Sequence, residues 1–315
     1  MSSSAEARTI FLGCVRKAVG LGSAGMSQRC SPVPVATVAI ILFAALWWAT
    51  NPPTLEAQQA RRVNRVIEAL AAGRPAITGE TWAFMDREHR PYDITEIRAS
   101  LGKVLDAKNS QGQPTLAPIV RIPPEGDQNV RWIIKQVLES GAMGVVIPQV
   151  ESAEQALRIT EAMRYPQLKS SPYKTPRGRR GCGCSGGANW GLSDPTEYVR
   201  VADLWPLNPQ GELIVLPMIE TPEGVASVDA ILETPGVTGV LVGPTDLTMN
   251  YGEGRWNSPE DAKPDTLAAI GQVARACRAK KKHCGMVTAN EAQTEEYIAA
   301  GFTIIFATYR PGASM

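Results

Sequence analysis

The chain has 315 residues, is 44% hydrophobic and 20% charged, and carries a net charge of +1. That length accommodates one large domain with a sizeable core, and the charge balance gives no general attraction to nucleic acid or to anionic membrane. With only two histidines, His89 and His283, a multi-histidine zinc centre is excluded, and six cysteines in a chain this long do not make a disulfide framework. Cys182 and Cys184 form a C-x-C pair, while Cys277 and Cys284 stand apart. Their spacing fits neither a zinc finger nor a ribbon, so they read as buried or spare thiols.

Residues 1 to 32 are small, polar and weakly basic. Residues 33 to 50, VPVATVAIILFAALWWAT, carry no charge and fall just short of a bilayer span. Basic residues precede this run, and Asn51, Pro52 and Pro53 end it. It reads as a signal-peptide core or an N-terminal membrane anchor, with a buried helix as the alternative. Trp47 and Trp48 suit a membrane interface. Residues 1–55 are therefore expected to direct export or anchoring and contact the membrane through 33–50, with residues 56–315 as the folded domain. A cytoplasmic protein is the alternative.

The folded part alternates. A helix is expected over 57 to 73, then short strands at PAIT and at TWAFMDREH, with too little chain between them for a helix. Asp93 caps a helix running to Leu105. APIVRIP is a buried strand holding one charge, Arg121, followed by a helix from about Asp127 to Ser140 and the strand GVVIPQV. Ser152 and Gln155 form a capping box for a helix to Met163. A long loop over 165 to 194 carries Arg177, Arg179, Arg180 and the C-x-C pair; its arginines either meet an anion or stay solvated. A short helix follows near Pro195 to Leu204.

The stretch from Leu213 to Leu247 reads as strand, helix, strand. The first apolar run ends at Glu220, with Thr221 capping a helix that has Pro222 at its first position. The second, Gly239 to Val242, ends at Gly243, Pro244, Thr245 and Asp246. Then come a helix over Pro264 to Lys280, the strand HCGMVTA, a helix over Asn290 to Ala300 and a final strand, FTIIFATY, with no helix after it. Eight short strands alternating with helices in about 250 residues predict a (β/α)8 barrel with an irregular first unit. An open doubly wound sheet is the runner-up.

In such a barrel, catalytic groups sit at the C-terminal strand ends. There the sequence places Asp86, Glu88, His89, Arg121, Glu220 and Asp246. Glu220 and Asp246 either hold a hard divalent cation or merely cap a helix and anchor a turn. Asp86 is spaced to orient the His89 imidazole. Arg121 is costly to bury without an anion, and its alternative role is a salt bridge inside the barrel with Glu88. A cation, an arginine and a histidine suit retro-aldol cleavage of a 2-keto acid. No lysine stands at a comparable strand end, which argues against Schiff-base chemistry.

The stretches MDREHRPYD, APIVRIP, IKQVLESGAMGVVIPQVESAEQA, the MRYP turn, PMIETPEG, GVLVGPTDLT and MVTANE, in that order, resemble the metal-dependent 2-keto-acid aldolases of the HpcH/HpaI aldolase and citrate lyase family. The resemblance covers roughly residues 65 to 310. It implies a (β/α)8 barrel assembled as a homo-oligomer, and a class II lyase that splits 4-hydroxy-2-keto acids into pyruvate and an aldehyde. It further implies Mg, Mn or Co held by Glu220 and Asp246, His89 as base with Asp86 as its partner, and Arg121 on the keto oxygen. Gly243, Pro244, Thr245 and Asp246 would receive the pyruvate carboxylate. Met218 stands where the family has glutamine. An acyl-CoA lyase whose CoA phosphates meet Arg177, Arg179 and Arg180, and a non-catalytic keto-acid-binding barrel, are the alternatives.

Overall fold

The computed structural model describes residues 62–124, 130–256 and 263–310. The apolar run 33–50 and the rest of residues 1–61 lie outside the described residues. Among those described, no helix is long and apolar enough to cross a membrane.

Eight parallel strands form the sheet: β1 (Ala76–Ile77), β2 (Trp82–Asp86), β3 (Ala117–Arg121), β4 (Gly144–Ile147), β5 (Ile214–Ile219), β6 (Gly239–Val242), β7 (His283–Thr288) and β8 (Ile304–Ala307). Each pairs with its sequence neighbour from β2 to β8, and β8 pairs with β1. A bridge between Thr78 and Trp82 brings the two ends together. The result is the expected (β/α)8 barrel. Parallel strands normally need a crossover of a dozen or more residues. Here only Thr78 to Thr81 separate β1 from β2, and Gly79, at φ 79°, turns the chain. The Gly79 N–H is donated to the Trp82 carbonyl at 2.8 Å. A two-residue first strand makes this possible, because the chain only steps sideways into the next position of the ring.

The helices follow the sequence signals closely. Among the described residues they are α1 (Arg65–Ala71), α2 (Ile94–Asp106), α3 (Arg131–Glu139), α4 (Ala153–Met163), α5 (Pro195–Val201), α6 (Pro222–Ala226), α7 (Val228–Glu233), α8 (Pro244–Asn250), α9 (Pro264–Lys280) and α10 (Glu291–Ala299). Asp93, Ser152 with Gln155, Thr221 and Asn290 cap α2, α4, α6 and α10 as their residue types favour. The strands are buried on both faces and so read as continuous apolar runs. On α3, Ile133, Ile134, Val137 and Leu138 turn inward against them.

One expectation is narrowed and one corrected. The first described helix begins at Arg65, because Asn64 caps it and is itself tied down, while residues 57–61 of the expected helix lie outside the described residues. The buried Asn64 amide donates to the Met143 carbonyl at 3.1 Å and the Glu212 carbonyl at 3.0 Å, which fixes where the helix starts. The cysteines are not spare thiols: Cys277 pairs with Cys284, and Cys182 with Cys184. Between α9 and β7 the chain reverses through Lys281, at φ 53°. That reversal brings Cys277 and Cys284 to a Cα–Cα separation of 5.9 Å.

Candidate active site

Parallel register sets the site. Asp86 lies opposite Arg121, the last residues of β2 and β3. Side chains alternate along a strand, so Trp82, Phe84 and Asp86 share one face. That face is the barrel interior: Phe84 lies 4.1 Å from Phe306 between ring centroids. The Arg121 guanidinium carbon sits 5.4 Å from the Phe84 ring centroid.

Arg121 is the hub of the rim. Its Nε donates to Asp86 Oδ1 at 3.0 Å and its Nη2 to Asp86 Oδ2 at 2.7 Å, a bidentate pair. Its Nη1 lies 3.0 Å from Glu88 Oε2. Burial opposes the Asp86 charge, but the Arg121 hydrogen bonds and charge hold this carboxyl below its ordinary range. Burial first, then the charges of Asp246 and Asp86, raise Glu88 despite Arg121 and His89. The salt bridge weighed as an alternative role for Arg121 therefore exists, with both acids.

The expected Asp86–His89 pair does not form through side chains. Asp86 Oδ1 instead accepts the backbone N–H groups of Glu88 at 3.0 Å and His89 at 3.4 Å. Asp86 lies at a strand end with its carboxylate turned inward to Arg121, so it shapes the turn rather than the imidazole. The acid beside the ring is Glu88, 3.7 Å from His89 Nε2, and the imidazole is 59% exposed at the rim.

Across the mouth, Glu220 follows β5 and is 1% exposed. Its Oε1 accepts the Gln149 N–H at 2.8 Å. Its Oε2 is buried without a hydrogen-bond partner. Burial, then the charges of Glu88 and Asp246, push the Glu220 carboxyl up to about 8. Asp246 is half-buried in the first turn of α8. α8 is held against Glu220 at both ends: at its last residue Asn250 donates its side-chain amide to the Glu220 carbonyl at 2.9 Å, and before its first turn Gly243 packs on the carboxylate. A Cβ at Gly243 would collide with Glu220 Oε2 and come within 2.8 Å of the Met218 methyl, so glycine is required there by close approach.

The loop after β6 divides its roles differently from the expectation. The Gly243 N–H is donated to the Ile219 carbonyl at 3.1 Å, and proline has no N–H to give. Gly243 and Pro244 thus shape the loop, while the Thr245 and Asp246 amides are the first-turn donors without an intrahelical acceptor.

The site's chemistry fits a hard cation. A buried carboxylate oxygen without a hydrogen-bond partner, beside two other acids, is a place where a bound cation would be stabilised. Among the described residues no three His, Cys, Asp or Glu side chains form a ready-made cluster. Glu88 is paired with Arg121, so Glu220 and Asp246 are the carboxylates at this mouth that could hold a cation. Two carboxylates with open positions suit a magnesium-like ion, which keeps other positions for water or substrate oxygens.

The family model described as HpcH/HpaI aldolase/citrate lyase matches residues 68–309. The chain belongs to that family. Membership makes it an enzyme of the aldolase and lyase class. Curated relatives include a hydroxypyruvate/pyruvate aldolase of Roseobacter denitrificans, 31% identical over 236 residues, covering 75% of this chain and 80% of its own length. A 2-keto-3-deoxy-L-rhamnonate aldolase of Klebsiella pneumoniae is 32% identical over 231 residues, covering 73% and 74%. Among solved structures, an HpcH/HpaI aldolase/citrate lyase family protein from Burkholderia cenocepacia superposes with a TM-score of 0.58 at 25% identity, over 72% of this chain and 78% of that one.

The long arginine loop is not at this mouth. It links α4 to α5 on the return path to β5, so it lies at the opposite, N-terminal end of the barrel. Arg180 is fully buried there between Tyr165 and Tyr198, bonding Glu139 at 3.0 Å and the Tyr198 hydroxyl at 2.8 Å. Arg179 pairs with Glu161 at 2.6 Å. Arg164 is buried against Asp203 and donates to the Pro176 and Tyr173 carbonyls, clamping the loop down. The expected role of Arg179 and Arg180 in meeting CoA phosphates is removed by this placement. Sequence reading also missed Gln149, whose contribution is a backbone N–H that no residue pattern announces, and Glu212, a buried acid at the barrel bottom. Burial pushes Glu212 up to about 7 against the pull of Arg62 and the Asn64 N–H.

Proposed function

We propose that the protein is a divalent-metal-dependent carbon–carbon lyase that cleaves a 4-hydroxy-2-keto acid to pyruvate and an aldehyde. The observation that carries this reading is Glu220: a buried carboxylate with one unpartnered oxygen, beside Asp246 and facing Arg121 across the mouth. Glu220 and Asp246 would hold Mg, Mn or Co. When bound, the cation supplies a positive charge that polarises the keto acid and neutralises developing negative charge.

This chain's own residues account for the rest. The keto-acid carboxylate meets the free amides of Thr245 and Asp246. His89 at the rim takes the proton from the C4 hydroxyl. The C3–C4 bond breaks, the aldehyde departs, and its electron pair passes into the pyruvate enolate. Arg121, held in place by Asp86 and Glu88, still has N–H groups on Nη1 and Nη2 for the enolate oxygen. Glu88, beside His89, steadies the imidazolium that forms, and the same proton, passed from His89 directly or through water to C3, gives pyruvate and restores the neutral imidazole. The aromatic floor of Phe84 and Phe306 keeps water from beneath the arginine.

The test is pyruvate release from 4-hydroxy-2-oxo acids by the full chain with Mn2+ or Mg2+, and again with EDTA. Release that EDTA abolishes and added metal restores, and that Glu220→Ala removes, supports the reading. Metal binding with no release refutes cleavage of this substrate class.

A further inference from the structure

We infer that Gln149 is a positioning residue for the candidate cation site, its left-handed backbone aiming one amide at Glu220 Oε1 so that Oε2 is left for the ligand. This inference rests on the metal-dependent reading above. Gln149 has φ 54°, a conformation that side-chain-bearing residues avoid and glycine accepts freely. Sheet pairing brackets it on both sides. Ile147 is in register with Pro217, and the Val150 N–H returns to the Met218 carbonyl at 3.2 Å. The irregularity is therefore confined to the turn containing Gln149.

Its effect is specific. The Gln149 N–H reaches Glu220 Oε1 at 2.8 Å. With Oε1 engaged, Oε2 lies against Gly243, the residue that precedes the α8 first turn containing Asp246. The Glu220 backbone is held independently by Asn250, so what the Gln149 amide decides is the carboxylate's rotation. The Gln149 side chain is exposed, so the argument needs only its backbone. Strained conformations cluster where a ligand site must be held in one geometry.

The experiment is calorimetric titration of the full chain with Mn2+, without substrate, for the wild type and for Gln149→Gly, Gln149→Asn and Gln149→Val. Glycine and asparagine accept positive φ and should keep the dissociation constant within about twofold. Valine resists it and should weaken Mn2+ binding by about tenfold. Wild-type affinity in the valine variant overturns the inference. So does loss of affinity in the glycine variant, which would assign the role to the carboxamide side chain; this arm stands even where the valine protein does not fold. If the wild type itself does not bind Mn2+, the metal reading fails and the inference falls with it. If the wild type and the valine variant bind equally, only the inference fails.

Discussion

Replacing Glu220 with glutamine separates the cost of this carboxylate from its use. Glutamine keeps the shape and the acceptor for the Gln149 N–H but carries no charge. Without a cation, burial and the charges of Glu88 and Asp246 push the Glu220 carboxyl up to about 8 from the ordinary 4.5. A raised folded value means that the native state holds a proton the unfolded chain has released. Stability is therefore full below pH 4.5 and is lost as pH rises toward 8. At pH 7 the difference is about 2.5 pH units, or roughly 3 kcal/mol. Glutamine removes that cost. Urea unfolding in EDTA should show Glu220→Gln more stable than wild type by about 2–3 kcal/mol at pH 7 and indistinguishable near pH 4.5. Added Mn2+ should then stabilise the wild type and not the variant. A variant no more stable at pH 7 than wild type, or one that Mn2+ still stabilises, would refute the picture of an acid buried to hold a cation.

Other substitutions test the remaining parts. Arg121→Lys cannot reproduce the bidentate pair with Asp86, and pyruvate release should fall by about 100-fold while the melting temperature changes little. Gly243→Ala forces a methyl onto Glu220 Oε2 and should abolish Mn2+ binding measured by calorimetry. Glu212, raised to about 7 from 4.5, costs stability between those pH values, so Glu212→Gln should flatten the wild-type decline in thermal melts over pH 5 to 8. Arg179→Ala, at the far end of the barrel, should leave the kcat/KM of pyruvate release within about twofold; a larger loss would contradict the placement of its loop.

The architecture was legible in the chain because its signals are local. Asp93, Ser152 with Gln155, Thr221 and Asn290 are caps whose side chains bond backbone a few residues away. Apolar runs closed by Gly or by a charged residue mark strands wherever they end up in space. The missing first crossover was visible as too few residues between PAIT and TWAFMDREH. Because polar residues at strand ends converge in any barrel, Asp86, Arg121, Glu220 and Asp246 could be placed together at one rim as candidate site residues without coordinates.

Partnership was decided only by tertiary structure. Asp86 sits three residues from His89 yet bonds Arg121, thirty-five residues away, because parallel register puts β2 and β3 ends side by side. Arg180 and Arg179 look like a solvated charge run, but the loop's return path buries one against Glu139 and pairs the other with Glu161. Glu212 and Asn64 meet across 148 residues at the barrel bottom. The Gln149 amide reaches Glu220 from the turn after the neighbouring strand, and a backbone group has no letter of its own in the sequence. Local propensity thus determined which elements form and where they end. Which side chains share a charge, and which oxygen of Glu220 is left without a partner, follow from strand register and burial, and those exist only once the barrel has closed.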